Sequence, residues 1–532
     1  MPAPPQQPAL KNTPGSKGSD GYAARTGAAA AAGAAAAAGA GAAGAARAGA
    51  APLDPGDLAD LRSPHDPNAP RDLFGPNADD GTAFVPEPSE GDRHVERIPR
   101  LSLMMGWWSL VSAMFYIYIA ALVASIVGVT NAVIGMVLTV ITYGAINKVL
   151  STYAIRTGFT VELFSRVIFG KVGSALATLV FAATALYYGV FEGSIIAATL
   201  EAYTRDSLGW SINIWYLVVV LYSTPLVFGG VRNWLDRLNG ILLPLYLVGL
   251  FAAVIVAAVK GSPAGWTGFG GQTGIPFASG GPGWLLAFGI YMGVWILMMY
   301  TMDFARLGRR SDTAYHGTVT FGWVFYSLTF LGNGLVGIFL SHALREHVGA
   351  TVTEGGVAVA LTQVMGIAAV ALVWISQTRI NTANYYLASV NLESFASHVL
   401  RVRAPRAVWV VVGSVVMYLL MLTNVFSYLL KALSWQGVLV TSWVAIALVH
   451  IWMDRRDGVD PDRLVTDLAR IRTVSLPGVV ASLVATVAGL TVITAAPPWA
   501  TTWGPILTAA LAAALYAVLR TVTGIRNSLA SA

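Results

Sequence analysis

Membrane-length apolar segments dominate this chain from about residue 101 to about residue 519. A helix of about 20 residues is about 30 Å long, which matches the hydrocarbon core of a bilayer. Only 11% of the residues are charged and 55% are hydrophobic, whereas a soluble domain carries roughly 25% charged residues. The pattern therefore predicts an all-α integral membrane protein.

About twelve segments are long enough to span a bilayer. They run roughly over residues 103–127, 129–152, 173–202, 211–230, 238–260, 283–300, 314–343, 355–388, 406–429, 432–453, 475–495 and 504–521. With the N-terminus inside, Lys and Arg fall mainly in cytoplasmic loops, and one span more or fewer in mid-chain would invert that asymmetry. The loops on the other side hold Arg205, Lys260, Arg345 and Lys431. We expect a multi-pass protein of the cell membrane with both termini cytoplasmic.

The first part of the chain, residues 1–95, has a different composition, with an Ala/Gly tract followed by a Pro- and Asp-rich stretch. It offers few large apolar side chains, so burial cannot offset the entropy that ordering would cost. We expect a disordered cytoplasmic tail.

Two ionisable residues, Glu192 and Arg379, lie inside apolar segments. A charge at the centre of a bilayer costs about 3 kcal/mol or more unless it faces a partner or a wet cavity, so such residues typically mark a solute or ion pathway. Their positions indicate a transport protein.

Several other classes of function lack their characteristic residues. The formal charge of +6 is spread over the loops rather than along one stripe, which argues against nucleic acid as a partner. The chain has no Walker A sequence for ATP, and without Cys it has no thiolate metal site. An intramembrane enzyme would need a nucleophile with its base or a metal cluster, and a channel would need rings of pore-lining groups. We therefore expect neither an enzyme nor a channel, and no cofactor.

Three stretches carry a more specific signal. The first runs from Arg156 to Ser174 and reads RTGFTVELFSRVIFGKVGS; the second is GVW at 293–295 followed by DFARLGR from Asp303; the third is TRINTAN, ending at Asn384. Taken in order, they resemble the signature of the nucleobase:cation symporter family, the purine and cytosine permease group.

The resemblance implies a transport core of ten helices, residues 96–453, built as two inverted five-helix repeats. Residues 454–532 would then form a cytoplasmic linker and two further transmembrane helices. It also implies a symporter for a nucleobase or related small heterocycle, bound between helices 1, 3, 6, 8 and 10 with helices 1 and 6 broken. An amino-acid or other small-solute transporter of the same architecture is the alternative.

A flat heterocycle needs an aromatic plate for its face and amide groups for its edge. The resemblance makes Trp295 the plate and Tyr187 a second aromatic wall, with Phe191 where relatives carry a polar contact. Simple packing is the alternative for each of these aromatic residues.

A polar face on the eighth span is formed by Gln377, Asn381 and Asn384, which are spaced i, i+4 and i+7. Amides in lipid are costly without partners, so this face must point into the bundle. We expect Asn384 to read the edge of the ligand, with Asn381 and Gln377 as further contacts. Interhelical hydrogen bonding is the alternative.

The coupling ion is the point at which the sequence departs from the family pattern. Sodium-using members place two hydroxyl residues on helix 8, opposite the helix 1 carbonyls around Met114 to Tyr118, where this chain has Thr378 and Arg379 or Arg379 and Ile380. A guanidinium has only donors and cannot ligate a cation. A conventional sodium site is therefore doubtful, and Glu192 is either a proton carrier, a hydrogen-bond partner of the substrate, or the ion partner of Arg379.

The inner end of helix 6 carries Asp303 close to Arg306 in the sequence. Charged residues at a helix end of this kind are typical of an ion pair at a gate or cap rather than of a substrate contact. We expect these two residues to form part of the inner gate.

Overall fold

The structure is a computed structural model. It describes residues 97–228, 231–271, 281–348, 352, 355–402, 404–423, 429–464, 470–495, 499–525, 527 and 529. The predicted tail, residues 1–95, lies outside the described residues.

The described chain is helical, and its longer helices are numbered here in chain order. They are α1 Arg100–Trp107, α2 Met114–Val127, α3 Val129–Thr157, α4 Val161–Thr204, α5 Ile212–Phe228, α6 Val231–Lys260, α7 Gly283–Met292, α8 Ile296–Ala305, α9 Asn333–Ala343, α10 Gly356–Met365, α11 Ile367–Phe395, α12 Arg406–Met421, α13 Leu429–Arg456, α14 Leu476–Ala495 and α15 Ala500–Thr523. A segment with two π-helical turns, His316–Thr320 and Ser327–Gly332, leads into α9. The prediction of an all-α membrane protein is confirmed.

Among the described residues, seven continuous helices are long and apolar enough to cross a membrane. Two bent pairs, α1 with α2 and α7 with α8, raise that number to nine by length and composition. The other predicted spans fall on the shorter helix α5, the pair α10 and α11, and the shorter helix α12. Twelve spans therefore stays a prediction, as does the inverted repeat.

The first bend lies at Ala113, where the backbone is extended and the chain turns by 44°. A short 3₁₀ turn, Trp108–Ser112, precedes it. In this turn the Ser109 hydroxyl donates to the carbonyl of Gly106 at 2.8 Å, and the Ser112 hydroxyl donates to that of Ser109 at 3.2 Å. Local side-chain bonds of this kind compete with the helical ladder and favour a break.

The second bend, of 45°, lies between α7 and α8 at residues 293–295. The amides of Gly293, Val294 and Trp295 each bond three residues back, which tightens the turn. A Cβ on Gly293 would lie 2.8 Å from the carbonyl oxygen of Leu433 on α13, so only glycine fits there. Both breaks that the family resemblance implies are therefore present.

Packing places the two broken helices at the centre of the bundle. Helix α11 lies along α4, and α2 packs against α9. The last two helices, α14 and α15, pack on each other and against α13. The breaks of α1–α2 and α7–α8 are thus enclosed by α4, α11 and α13.

Candidate functional site

A small cavity lies where the two helix breaks face each other. Its lining comes from both breaks together with α4 and α11, and includes Ala113, Tyr116, Tyr188, Glu192, Tyr300 and Asn384. Its volume is about 20 Å³, which is room for about one water molecule. In this closed arrangement, a heterocycle could enter only after neighbouring side chains or helices moved.

Trp295 ends the second break and is buried beside the cavity. Its neighbours Val294 and Ile296 line the cavity, and its ring meets Tyr143 edge to face with centroids 6.5 Å apart. The indole Nε1 has no hydrogen-bond partner within the described residues. The structure therefore places Trp295 between two residues of the cavity lining, with its ring against Tyr143 of α3.

The amide face of α11 is divided between two environments. Asn384 is 1% exposed, lines the cavity, and its Nδ2 has no partner in the described part of the chain. Asn381 is equally buried but lies against α4, because a Cβ on Gly193 would be 3.3 Å from its Nδ2. Of these two amides, the structure brings Asn384 to the cavity.

Gln377 bonds at both ends of its amide. Its Oε1 accepts from the backbone N–H of Met114 at 3.1 Å, and its Nε2 donates to the carboxyl group of Glu192 and, at 3.2 Å, to the carbonyl of that residue. Met114 is the first residue after the helix 1 break, so its amide lacks a helical partner. Gln377 therefore joins α11, α4 and the helix 1 break.

Arg379 points to the other side of the same break. Its guanidinium donates to the carbonyl of Trp108 at 3.1 Å, whereas the carboxyl group of Glu192 accepts from Gln377. A direct ion pair between Glu192 and Arg379 was one of the interpretations that the sequence allowed. In the structure, Glu192 is hydrogen-bonded to Gln377 and Arg379 to the carbonyl of Trp108.

The carbonyls of the unwound turn are bonded by side chains from two helices. Asn333 of α9 donates to the carbonyl of Val111 at 2.6 Å, and Ser376 of α11 donates to that of Ser112. On α11, therefore, Ser376 and Gln377 contact the helix 1 break: Ser376 bonds the carbonyl of Ser112, and Gln377 bonds the N–H of Met114. Thr378 lies on another face, where its hydroxyl meets Tyr222 of α5 at 3.2 Å.

The two aromatic residues of α4 that were expected at the site do not line the cavity; the next residue along the chain lines it in each case. Tyr188, rather than Tyr187, lines it, and Tyr187 is half-buried outside it. Phe191 packs edge to face on Phe115 with centroids 5.4 Å apart, within the apolar core. One residue is a 100° rotation on a helix, so a pair of adjacent tyrosines does not reveal which one faces inward.

The inner end of helix 6 is tied to two other segments. Asp303 accepts from the backbone N–H of Val161 at 2.9 Å, where α4 begins. Arg97 donates to the carbonyls of Arg306 and Gly308 at 2.7 and 2.6 Å. Asp303 and Arg306 therefore lie where the N-terminal segment and α4 meet the inner end of helix 6.

The linker after α13 contributes a further ionic contact on this side. Asp462 bonds Arg156 at 2.6 Å and Arg310 at 3.1 Å. The hydrogen bond from Arg156, with the two nearby positive charges, holds the pKa of the Asp462 carboxyl below its usual range. This contact joins the loops that follow α3 and α8.

Several residues at the site were missed by sequence reasoning. Tyr116 and Tyr300 line the cavity with Tyr188, and Asn333 and Ser376 bond the helix 1 turn. Asn333 had a detectable signal, since it is an amide within an apolar segment, the same feature that marked Asn384. The two tyrosines had none, because aromatic residues are common throughout the spans.

Comparisons with known proteins were made by sequence and by structure. No family model matches the sequence, and no curated protein resembles it significantly. Among solved structures, the chain is similar to Mhp1, a nucleobase-cation-symport-1 family transporter, in a closed conformation with bromovinylhydantoin bound. The TM-score is 0.60 at 18% identity over 81% of this chain and 94% of that one.

Two further structures agree with that match. An inward-facing conformation of Mhp1 gives a TM-score of 0.63 at 17% identity, over 81% of this chain and 93% of Mhp1. A substrate-bound, outward-open Na⁺-coupled sialic acid symporter gives 0.56 at 12% identity, over 80% of this chain and 90% of that one. The resemblance carried by the three sequence motifs thus extends to three dimensions, and the chain has the fold of the nucleobase-cation-symport-1 transporter Mhp1.

Proposed function

We propose that this protein is a secondary-active transporter that imports a nucleobase or a related small heterocycle, such as a cytosine-, purine-, hydantoin- or allantoin-like ring, by alternating access. The observation that carries the proposal is the buried cavity between two broken helices, with Asn384 in its wall and Trp295 beside it. Broken helices at membrane depth are tolerated where they line a cavity and are typical of transporter substrate sites.

The chemistry around the cavity suits a flat ring with a polar edge. Trp295 offers a face for stacking, and Asn384 offers a buried donor without a partner among the described residues. Tyr188 and Tyr300 add hydroxyl groups to the wall. An unpaired buried amide costs about 1–3 kcal/mol, so a ligand that accepts a hydrogen bond from it recovers that cost. Mhp1, whose fold this chain shares, is the protein with a hydantoin bound.

The small volume of the cavity indicates that binding requires movement. A cavity of about 20 Å³ holds about one water and no ring. The contacts of Asp303, Arg306 and Arg97 close the end that we assign to the cytoplasm, with both termini on that side of the cell membrane. Release into the cell then requires these contacts to separate.

We propose further that uptake does not require sodium. Arg379 brings its guanidinium to the helix 1 turn, where it bonds the carbonyl of Trp108, and Asn333 and Ser376 donate to the carbonyls of Val111 and Ser112. A sodium ion needs such oxygens as ligands, and a fixed guanidinium next to them repels it. Glu192 remains as a possible proton carrier, and uncoupled transport is the other outcome.

There are two alternatives, one for the substrate and one for the coupling ion. The first is an amino-acid or other small-solute transporter of the same fold. The second is sodium coupling, since the sialic acid symporter that shares the fold is described as Na⁺-coupled. Both alternatives are decided by the same pair of experiments on the purified full-length protein.

The ligand class is tested by thermal unfolding with cytosine, hypoxanthine, uracil, allantoin and free amino acids, followed by uptake competition. Ligand present at 100 times its Kd stabilises the folded protein by about 2.7 kcal/mol. Stabilisation by amino acids and by none of the rings would refute the heterocycle proposal. The ion is tested in proteoliposomes with separate sodium and proton gradients, and accumulation driven by sodium alone at fixed pH would refute sodium independence.

A further inference from the structure

Gln436 on α13 forms two hydrogen bonds directly behind the cavity. Its Nε2 donates to the carbonyl of Gly293 in the helix 6 break at 2.9 Å, and to the hydroxyl of Tyr188 at 3.4 Å. The side chain is buried. It is not part of the cavity lining, whereas Tyr188 and Val294, the residue after Gly293, are.

The bond to Gly293 satisfies a group that the break leaves without a helical partner. The bend between α7 and α8 interrupts the ladder, so carbonyls at its edge need other donors. The carbonyl of Gly293 receives Gln436, and that of Tyr291, which already accepts from the N–H of Val294, also receives the Tyr143 hydroxyl at 2.5 Å. The break is thus held from both sides, by α3 and by α13.

Close packing fixes the distance between α13 and the break. A Cβ on Gly437 would lie 3.2 Å from the Cα of Gly293, and a Cβ on Gly293 would lie 2.8 Å from the carbonyl oxygen of Leu433. The two backbones are therefore in contact, which keeps the amide of Gln436 next to the break.

We propose that Gln436 is a positioning residue for substrate binding: it holds the helix 6 break and Tyr188 in the arrangement that binds the ring, although it does not touch the ring. The proposal rests on the transport function proposed above. Loss of its donors removes the link that Gln436 makes between the helix 6 break and Tyr188 of α4. The closed arrangement then loses a contact, so the protein opens more often and binds the ring more weakly.

The first test needs no ligand. The chain contains no Cys, so Leu297→Cys in the cavity wall provides a single reporter for a membrane-permeant maleimide. Gln436→Met keeps the length of the side chain and removes its donors. Thr441→Val on the same helix is the control, because its hydroxyl bonds the carbonyls of Val438 and Pro505 at 3.4 Å, away from the cavity lining. We expect Gln436→Met to raise the labelling rate about fivefold or more, and Thr441→Val to leave it unchanged.

The second test measures transport of whichever ring stabilises the wild type. Gln436→Met should raise KM about five- to tenfold with maximal uptake within about twofold, while Thr441→Val changes neither. Equal labelling rates in Gln436→Met and Thr441→Val would overturn the proposal. So would loss of folded protein in both Gln436→Met and Gln436→Glu, because the amide would then be required for the fold itself. If no ring binds the wild type, the proposed function fails while the labelling rates still decide the role of Gln436.

Discussion

The substitution Glu192→Gln separates the possible roles of the buried carboxyl group. Glu192 is 1% exposed and accepts from the amide of Gln377. A glutamine at 192 still offers an oxygen to that amide, so we expect the free energy of unfolding to change by less than about 1 kcal/mol. The new side chain cannot release a proton, however, which removes any role as a proton carrier.

Gln377→Leu shows how large a loss of folding stability is expected when these hydrogen bonds are removed. That change takes away the acceptor of the Met114 N–H and the donor to Glu192, two buried groups at about 1–3 kcal/mol each. We expect Gln377→Leu to cost about 2–6 kcal/mol of stability, measured by thermal unfolding of the purified proteins. Similar losses for Glu192→Gln and Gln377→Leu would contradict this interpretation of the hydrogen bonds.

The transport assay uses proteoliposomes with an acidic exterior and a ring that binds the wild type. One pH unit corresponds to 1.36 kcal/mol, so one proton per ring supports about tenfold accumulation per unit. We expect Glu192→Gln to bind the ring and to equilibrate it without accumulation. Accumulation of about tenfold by Glu192→Gln would refute the carrier role. Loss of folding that Arg379→Gln partly restores would instead support the ion pair between Glu192 and Arg379.

Three further substitutions test the site and its surroundings. Trp295→Ala should weaken binding about 5- to 150-fold while Trp295→Phe keeps part of it, because stacking is worth roughly 1–3 kcal/mol; equal binding by Ala and wild type in calorimetry would remove Trp295 from the site. Asn384→Ala should cost more affinity than Asn384→Asp for rings that present only donors, and a uniform loss over both variants and all rings would indicate helix packing instead. Asp462→Asn should cost less than about 1 kcal/mol at neutral pH, because its contact with Arg156 is partly exposed. The pKa of Asp462 is lowered, so this contribution is fully present above the ordinary value of about 3.9 and is lost as the pH falls through the lower pKa of the folded state; a difference in thermal stability from wild type that does not shrink as the pH falls below about 3.9 would contradict the ionic contact.

The family resemblance implied both helix breaks, but the two breaks differ in how far a local residue accounts for them. At the helix 6 break, close packing on α13 excludes a Cβ on Gly293. The helix 1 break at Ala113 lies in a stretch without Gly or Pro, from Trp107 to Ile126. It depends on hydrogen bonds from other helices, as that of Gln377 to Met114 shows. Such long-range bonds leave no local pattern, so only the family resemblance pointed to this break.

Helix rotation limits how far individual site residues could be predicted. The polar face of α11 was found from its spacing, but Asn381 and Asn384 are only about 60° apart on that face, so the spacing alone does not tell which one lines the cavity. The same holds for Tyr187 and Tyr188, which are 100° apart. Two lone charges in apolar segments suggest a pair, yet Arg379 lies 200° around the helix from Gln377, the partner of Glu192.

The two helix breaks are held by different sets of helices, and this division constrains how the cavity can open. The helix 1 break is bonded by α9 and α11, through Asn333, Ser376 and Gln377. The helix 6 break is bonded by α3 and α13, through Tyr143 and Gln436. A movement that separates the two breaks can keep every one of these bonds, because none of them crosses from one set to the other. A movement that pulls a single break away from its own set would leave its carbonyls unsatisfied at about 1–3 kcal/mol each. Separation of α1–α2 with α9 and α11 from α7–α8 with α3 and α13 therefore keeps the bonds of both breaks on the way to a cavity large enough for a ring. A bond that it has to break lies elsewhere, between Asn147 of α3 and Tyr326 in the segment that leads into α9.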